Sequence, residues 1–403
     1  MGPGELFVVP EGAQHCPRAD EKTHLLLIEP SGTPNTGNAA TAAERKLVYA
    51  PIDKGGERRG STDRRVAYAQ PQRRHTMSEP QSQRDVQVSG ITLHIREQGT
   101  GPLVLLCHGW PELAYSWRHQ IPALAQAGYH VVAPDMRGYG GSSVPAETAA
   151  YAITDLVGDM VALVSALGES RACIVGHDWG ATVAWSAALM RPDLFTAIAA
   201  LSVPHRPRNP AGPPLALLRA AGMENFYWFY FGREGVPEAE FERDVTSAIR
   251  RVLFYGSGDA PASTGMSLMV PPGGGFLDRV SDPVTLPPWL SDADVEVYAA
   301  AFRNNGFRGP FNWYRNIDRN WALLAPFQGA KVTPPALFIA GERDAVIATP
   351  MGRAALDKME ESVPNLRGKV LVPGAGHWIQ QERPDEVNAA LLRFLATAYD
   401  ARR

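Results

Sequence analysis

The run Ala172-Cys173-Ile174-Val175-Gly176-His177-Asp178-Trp179-Gly180 joins four apolar residues to an acid bracketed by two glycines, and residues 181–189 continue it with a helical pattern of small side chains. A short apolar run of this kind reads as a strand buried on both faces. The Gly-x-Asp-x-Gly spacing that follows is that of a nucleophile elbow, where glycines permit a sharp turn from strand to helix and lift the middle side chain above the sheet. Here the middle residue is Asp178. A serine at that place needs a base before it can attack, whereas a carboxylate is already anionic at neutral pH and attacks an alkyl carbon directly. The expected electrophile is therefore saturated carbon. Backbone N–H groups and the partial positive charge at the start of the helix favour the anionic form of Asp178. On this motif alone, Asp178 reads equally well as a plain helix cap.

The same alternation extends in both directions. Residues 103–107, 131–133, 198–201, 336–340 and 369–372 are further short apolar runs bounded by turn residues. Helical patterns span 155–167 and 384–395, the latter opening on a proline. Strand and helix repeated in this way predict an α/β fold, a mostly parallel, doubly wound sheet covered by helices on both faces. Its chemistry is expected just beyond the carboxyl ends of the strands. The alternation breaks between about Pro204 and Asn320. Aromatic helical pieces at 226–231 and 311–321 surround a Gly/Pro-rich passage at 256–288, which predicts an inserted helical lid with most of its aromatics as core. The expected division is a core of 85–207 and 321–403, a lid of 208–320, and an N-terminal extension of 1–84.

The 403 residues are 45% hydrophobic and 20% charged, the balance of a globular chain. Because 39 Lys+Arg nearly offset 42 Asp+Glu, no broad basic field exists to hold nucleic acid or anionic lipid, and neither is an expected partner. No apolar run approaches the roughly 18 residues of a membrane span. Cys107 and Cys173 lie in apolar runs and read as small buried hydrophobes. A cytoplasmic protein, monomer or homodimer, is expected.

The extension reads differently. Apolar runs at 6–9 and 25–28 are compatible with a β-hairpin. Gly4, Pro10-Glu11-Gly12 and His15 are spaced like the second metal-binding motif of cupin barrels, although residues 4–30 would supply only the tail of such a barrel. One histidine cannot complete a metal site, so a remnant is expected there and no metal or cofactor anywhere. Residues 51–84 have the polar composition of a linker. The functional chain is expected to begin near Met77.

Three other segments can converge on Asp178. His108-Gly109-Trp110-Pro111 ends the 103–107 run, and its turn can aim the Trp110 N–H into the same space as the Trp179 N–H, two donors that make an oxyanion hole. Gly341-Glu342-Arg343-Asp344 and Gly376-His377-Trp378 close the last two runs. The order nucleophile, acid, histidine is that of the α/β-hydrolases. His377 is the expected general base, oriented by Asp344. His108 is expected to shape its turn, and His177 to pack beside the elbow.

From about Asp85 to Leu395 the chain resembles the soluble epoxide hydrolases of the α/β-hydrolase fold. The resemblance rests on His108-Gly109-Trp110-Pro111, Asp135-Met136-Arg137-Gly138-Tyr139-Gly140, the elbow from Gly176 to Gly180, and Gly376-His377-Trp378. Phe307-Arg308-Gly309-Pro310-Phe311-Asn312-Trp313-Tyr314-Arg315-Asn316 is similar to that family's second lid-tyrosine segment and places the tyrosine at Tyr314. Tyr227-Trp228-Phe229-Tyr230-Phe231 resembles the first and places it at Tyr227, with Tyr230 the less favoured position. The resemblance implies hydrolysis of a small apolar epoxide by water. Two phenols, of pKa near 10 and so protonated at neutral pH, donate to the epoxide oxygen while Asp178 attacks carbon. The alkyl-enzyme ester is then hydrolysed by water that His377 activates, and a vicinal diol leaves. Trp110, Phe226, Trp313 and Trp378 are the expected substrate-binding residues. A haloalkane dehalogenase shares the Asp nucleophile and the Trp after it, but halide leaves without protonation and is held by N–H donors, often an Asn at the position of Trp110. A serine esterase is excluded by Asp178. A non-catalytic binder on the same fold would not need Asp178, Asp344 and His377 together.

Overall fold

The structure, a computed structural model, describes residues 81–261 and 267–399, with the backbone of His24–Leu26 and Tyr49–Pro51. The chain divides into two compact units, residues 1–73 and 74–403. In the first, His24–Leu26 pairs antiparallel with Tyr49–Pro51. Leu25 and Leu26 thus enter a strand as expected, but their partner is 49–51, which brings its own Tyr49 and Ala50. The 6–9 run, the cupin-like residues Gly4 to His15, and Cys16 lie outside the described residues.

The second unit is built on eight strands: β1 (Ser82–Val88), β2 (Ile91–Gln98), β3 (Leu103–Cys107), β4 (His130–Pro134), β5 (Ala172–His177), β6 (Phe195–Leu201), β7 (Ala336–Gly341) and β8 (Leu366–Val372). They lie in the order β8-β7-β6-β5-β3-β4-β2-β1. The β1–β2 and β2–β4 pairs are antiparallel and the rest parallel. All five residues of β3 and all six of β5 are buried, as strands covered on both faces must be. Alternate residues of β3 serve opposite cores: Leu103, Leu105 and Cys107 pack into one cluster, Val104 and Leu106 into the other.

Helices α1 (Gln120–Gln126), α2 (Ile153–Ala166) and α3 (Trp179–Met190) follow β3, β4 and β5 in turn. Between β6 and β7 are inserted α4 (Pro214–Ala220), α5 (Tyr227–Phe231), α6 (Val236–Phe241), α7 (Val245–Gly256), α8 (Asp292–Asn305), α9 (Arg308–Arg315) and α10 (Ile317–Leu323). After β7 come α11 (Ala345–Ala348), α12 (Pro350–Asp357) and α13 (Met359–Ser362), and after β8 come α14 (Ile379–Glu382) and α15 (Pro384–Ala398). The single helical piece expected at 311–321 is two helices. Asn316 divides them, its side-chain NH2 donating to the carbonyls of Asn312 and Thr148 at 2.8 and 2.7 Å. Among the described residues no helix is long and apolar enough to cross a membrane.

The β1–β2 hairpin lacks a continuous apolar run because its apolar residues only alternate: Val86 pairs with Leu93 and Val88 with Ile91 on one side, while polar pairs such as Asp85 with His94 take the other. The signal lay in the turn. Ser89 and Gly90 both adopt positive φ, 42° and 81°, the geometry a two-residue hairpin turn needs.

Candidate active site

Asp178 stands between β5 and α3 with φ 52° and ψ −119°, a backbone conformation that costs of order 1–3 kcal/mol and persists where the surroundings impose it. Its side chain makes no cap hydrogen bond to α3, which removes the helix-cap reading. Close approach of backbone on backbone makes the turn possible. A Cβ on Gly176 would collide with the Gly180 carbonyl, and one on Gly109 would collide with the Asp178 side chain itself.

The two carboxylate oxygens of Asp178 have different neighbours. Oδ1 accepts the Trp110 N–H at 2.8 Å, while Oδ2 lies 3.5 Å from His377 Nε2. On its other side, His377 Nδ1 is 3.0 Å from Asp344 Oδ2. Asp344 is fully buried, and its second oxygen accepts the Val346 N–H at 2.8 Å at the start of α11. Burial works against a charged imidazole, yet the negative charges of Asp344 and Asp178 outweigh it and hold the His377 pKa well above its ordinary value. The three residues expected to converge from three strand ends therefore form one chain of contacts.

Beneath them lies a buried polar network that sequence reasoning missed. Glu112 is fully buried, one Oε2 receiving the Gly109 N–H at 3.2 Å and facing His177 Nδ1 at 2.6 Å. Its Oε1 accepts from the side-chain amides of Gln380 and Gln381 at 2.8 and 3.0 Å. Burial alone would raise this carboxyl's pKa, but His177 beside it holds it down to about 2. His177 Nε2 in turn lies 2.7 Å from the carbonyl oxygen of His377, which also accepts the Ser202 hydroxyl at 2.9 Å. The loop that carries His377 is thereby tied to the elbow that carries Asp178. The available signal was a carboxylate placed directly after a strand-end turn. His108 shapes that turn: its Nε2 accepts the Met136 N–H at 2.9 Å, so Nδ1 carries the proton and donates to the Gly109 carbonyl at 2.9 Å.

Above the strand ends opens a cavity of about 930 Å³, lined by Asp178, Trp179, Phe226, Tyr227 and Trp321 among others. Tyr227 faces it from α5, whereas Tyr230 turns away toward Arg233 and Glu240. Tyr314, on α9, is buried beside Tyr227, with ring centroids 5.8 Å apart, and stands edge-on to the Trp179 ring at 5.2 Å. Burial, followed by the charge of Asp178, raises the Tyr227 pKa, and burial with Tyr227 and Asp178 raises that of Tyr314. Both phenols keep their protons.

Of the four expected substrate-binding residues, Phe226 lines the cavity. Trp313 and Trp378 do not. Each is all but fully buried, and each spends its indole N–H on a backbone carbonyl, of Arg137 at 3.1 Å and of Leu253 at 2.7 Å, because each ring is packed as core. Trp110 reaches Asp178 through its backbone while its ring packs against Phe231, Phe241, Phe311 and Tyr314. Among the described residues no group of three or more His, Cys, Asp or Glu is placed to hold a metal.

A family model for the alpha/beta hydrolase fold matches residues 102–384. Epoxide hydrolase A of Mycobacterium tuberculosis is 46% identical over 316 residues, 78% of this chain and 97% of that protein. A solved epoxide hydrolase from an endophytic Streptomyces superposes with a TM-score of 0.76 at 46% identity, covering 79% of this chain and 96% of that one. Epoxide hydrolase VrEH1 from Vigna radiata gives 0.71 at 37% identity, covering 78% and 98%. The cupin likeness of residues 4–30 is not borne out, since the family match lies wholly within 102–384. With an acid rather than a serine at the elbow and relatives of this similarity over nearly their whole length, the chain belongs to the epoxide hydrolase family of the α/β-hydrolase fold and is a hydrolase of epoxides.

Proposed function

We propose that hydrolysis runs through an alkyl-enzyme ester on Asp178, with Tyr227 and Tyr314 as acids, His377 as base, Asp344 as its orienting partner, and the N–H groups of Trp110 and Trp179 as the oxyanion hole. The observation that carries this reading is the unequal setting of the two Asp178 oxygens, one held by the Trp110 amide and the other free of backbone donors beside His377. Oδ2 attacks an epoxide carbon from the side opposite its C–O bond. The electron pair of that bond passes to the ring oxygen, which takes a proton from a phenol; both hydroxyls clamp it. Oδ1 becomes the ester carbonyl, already in contact with its donor.

Forming the ester also removes one of the two negative charges that raise the His377 pKa. The imidazole then gives up its proton more readily, that proton restores the phenol that lost its own in ring opening, and the neutral ring becomes a base at the moment a base is needed. It deprotonates water, which adds to the Asp178 carbonyl carbon; as the acyl–oxygen bond breaks, the imidazolium returns that proton to the departing oxygen, so the diol leaves and the carboxylate is restored.

The inserted helices α4 to α10 act as a lid that brings Tyr227 to the cavity wall, with Tyr314 packed against it and the Trp179 ring. The cavity suits an apolar epoxide with an aryl or alkyl substituent. A halide would need N–H donors and no acid, whereas the groups set here are phenols. Cys107 and Cys173, buried and in no disulfide among the described residues, fit a reducing cytoplasm, and a solution mass measurement distinguishes monomer from homodimer. The test is a panel of aliphatic, aryl and fatty epoxides assayed for diol beside a chlorinated alkane assayed for chloride. Diol without chloride is expected, and chloride release at a comparable rate would contradict the reading.

A further inference from the structure

The mechanism leaves one charged group in the cavity without a task. Arg206, just past the carboxyl end of β6, lines the same cavity as Asp178 and Tyr227. Its Nε is screened from solvent and has no hydrogen-bond partner, and among the described residues no carboxylate pairs with its guanidinium. The neighbouring charges are otherwise engaged or remote. Arg208 donates to the Trp321 carbonyl at 2.8 Å and to Gln328, and its guanidinium lies 3.7 Å from the Trp321 ring centroid. Asp178 is taken up by Trp110 and His377. Glu361, Lys331 and Lys358 also line the cavity, but among the described residues none forms an ion pair with Arg206. Burial, against its charge, lowers the Arg206 pKa, and the group that acts on it in the other direction is the Tyr227 phenol, which places the guanidinium within electrostatic reach of the acid.

A cation held in an apolar, partly closed space without a counter-charge is unfavourable, and buried charges are as a rule paired. Leu217, Leu218, Met223 and Phe226 supply the apolar walls. The anion that completes the pair then comes with the substrate. We propose that Arg206 is a specificity-determining residue that binds a carboxylate carried by the epoxide substrate, an apolar segment away from the oxirane. The proposal rests on the epoxide hydrolase reading and adds a requirement to it. A planar guanidinium suits a carboxylate, which it binds through two parallel N–H donors.

The test compares ω-epoxyhexanoate and ω-epoxyundecanoate with their primary amides, which match them in shape but lack the charge, in wild type, Arg206→Gln and Arg206→Lys. Wild type is expected to favour acid over amide in kcat/KM by about tenfold or more for at least one chain length. Arg206→Gln should bring that ratio to about one, and Arg206→Lys should keep most of it. A wild-type ratio at or below one for both lengths overturns the proposal whatever the variants do. So does a ratio that survives in Arg206→Gln, which would mean that Arg206 acts only by holding Tyr227 or the cavity wall. Turnover of neither acids nor amides would instead count against the parent reading of the active site.

Discussion

In the proposed mechanism the strand ends and the inserted helices contribute opposite halves of one reaction, and they are held in place by different forces. At the strand ends, every reacting charge is tied to backbone or to a buried partner: Asp178 to the Trp110 N–H, Asp344 to the Val346 N–H, His377 to Asp344, and its carbonyl to His177 and Ser202. On the inserted helices, Tyr227 and Tyr314 stand in a cluster of rings. Phe231 lies 5.5 and 5.0 Å from them, Phe276 is 6.1 Å from Tyr227, and Trp110 is 6.1 Å from Tyr314. Polar networks in a low-dielectric site fix atoms to a few tenths of an ångström and are costly to break. Aromatic packing fixes the orientation of a ring but tolerates small shifts. Loss of a group at the strand ends should therefore stop a step, while loss of a group in the ring cluster should slow one.

The sharpest contrast is at the nucleophile. Asp178→Ala should reduce turnover by at least about 10⁴-fold, as removal of a nucleophile does in other covalent mechanisms, and no adduct should form. A residual rate within tenfold of wild type, measured as diol from styrene oxide, would break the comparison at its stronger end. His377→Gln should come next. It should still be alkylated but hydrolyse its ester about 10³ to 10⁴ times more slowly, so intact mass should rise by the mass of the substrate. In wild type, the hydrolytic half-reaction should rise with pH as the ester-state imidazole loses its proton and then level off, since only the neutral ring accepts a proton from water. Stability runs in the opposite sense. Because the folded pKa of His377 lies above the unfolded one, its protonated form stabilises the fold below the unfolded value near 6.5, and that contribution is lost as pH rises through the folded value. The Tm gap between wild type and His377→Gln should accordingly narrow toward alkaline pH.

Tyr227→Phe with Tyr314→Phe tests the other half. Single-turnover alkylation should slow by about 10² to 10³, with ester hydrolysis spared, and either single variant should lose less because one phenol still donates. Equal alkylation rates in the double variant would remove both tyrosines from the chemistry. Glu112→Gln probes the network without touching a reacting group. Removing the charge of a buried carboxylate that accepts several hydrogen bonds leaves its donors poorly matched and costs about 1–3 kcal/mol, read as a lower midpoint in denaturant. The smallest effect is expected from deleting residues 1–76, which should leave expression and kcat/KM on styrene oxide unchanged within about twofold; loss of either would make the first unit part of the working enzyme.

How much was legible in the sequence follows the same division. The parallel strands announced themselves because burial on both faces demands uninterrupted apolar runs, and the elbow because its turn demands glycines at fixed spacing. Asp178, Asp344 and His377 could be read from their positions after those runs. Glu112 has only its place after a strand-end turn as a local mark, because what fixes it, His177, Gln380 and Gln381, comes from distant parts of the chain. Trp313 and Trp378 show the converse limit: sequence proximity to Tyr314 and His377 says nothing of which way a ring points, and both turn into the core. The break at Asn316 was hidden because residues on both sides keep a helical pattern, and the side chain that ends the first helix does so through the Thr148 carbonyl far away in sequence.

The proposed mechanism turns on a covalent bond to Asp178, and the fate of the oxygen atoms tests it most directly. A single turnover with enzyme in excess over styrene oxide in ¹⁸O-water should leave the heavy oxygen in the carboxylate of the peptide bearing Asp178, while the diol carries unlabelled oxygen from that side chain. Heavy oxygen found in the diol, with none in Asp178, would mean that water attacks the epoxide itself.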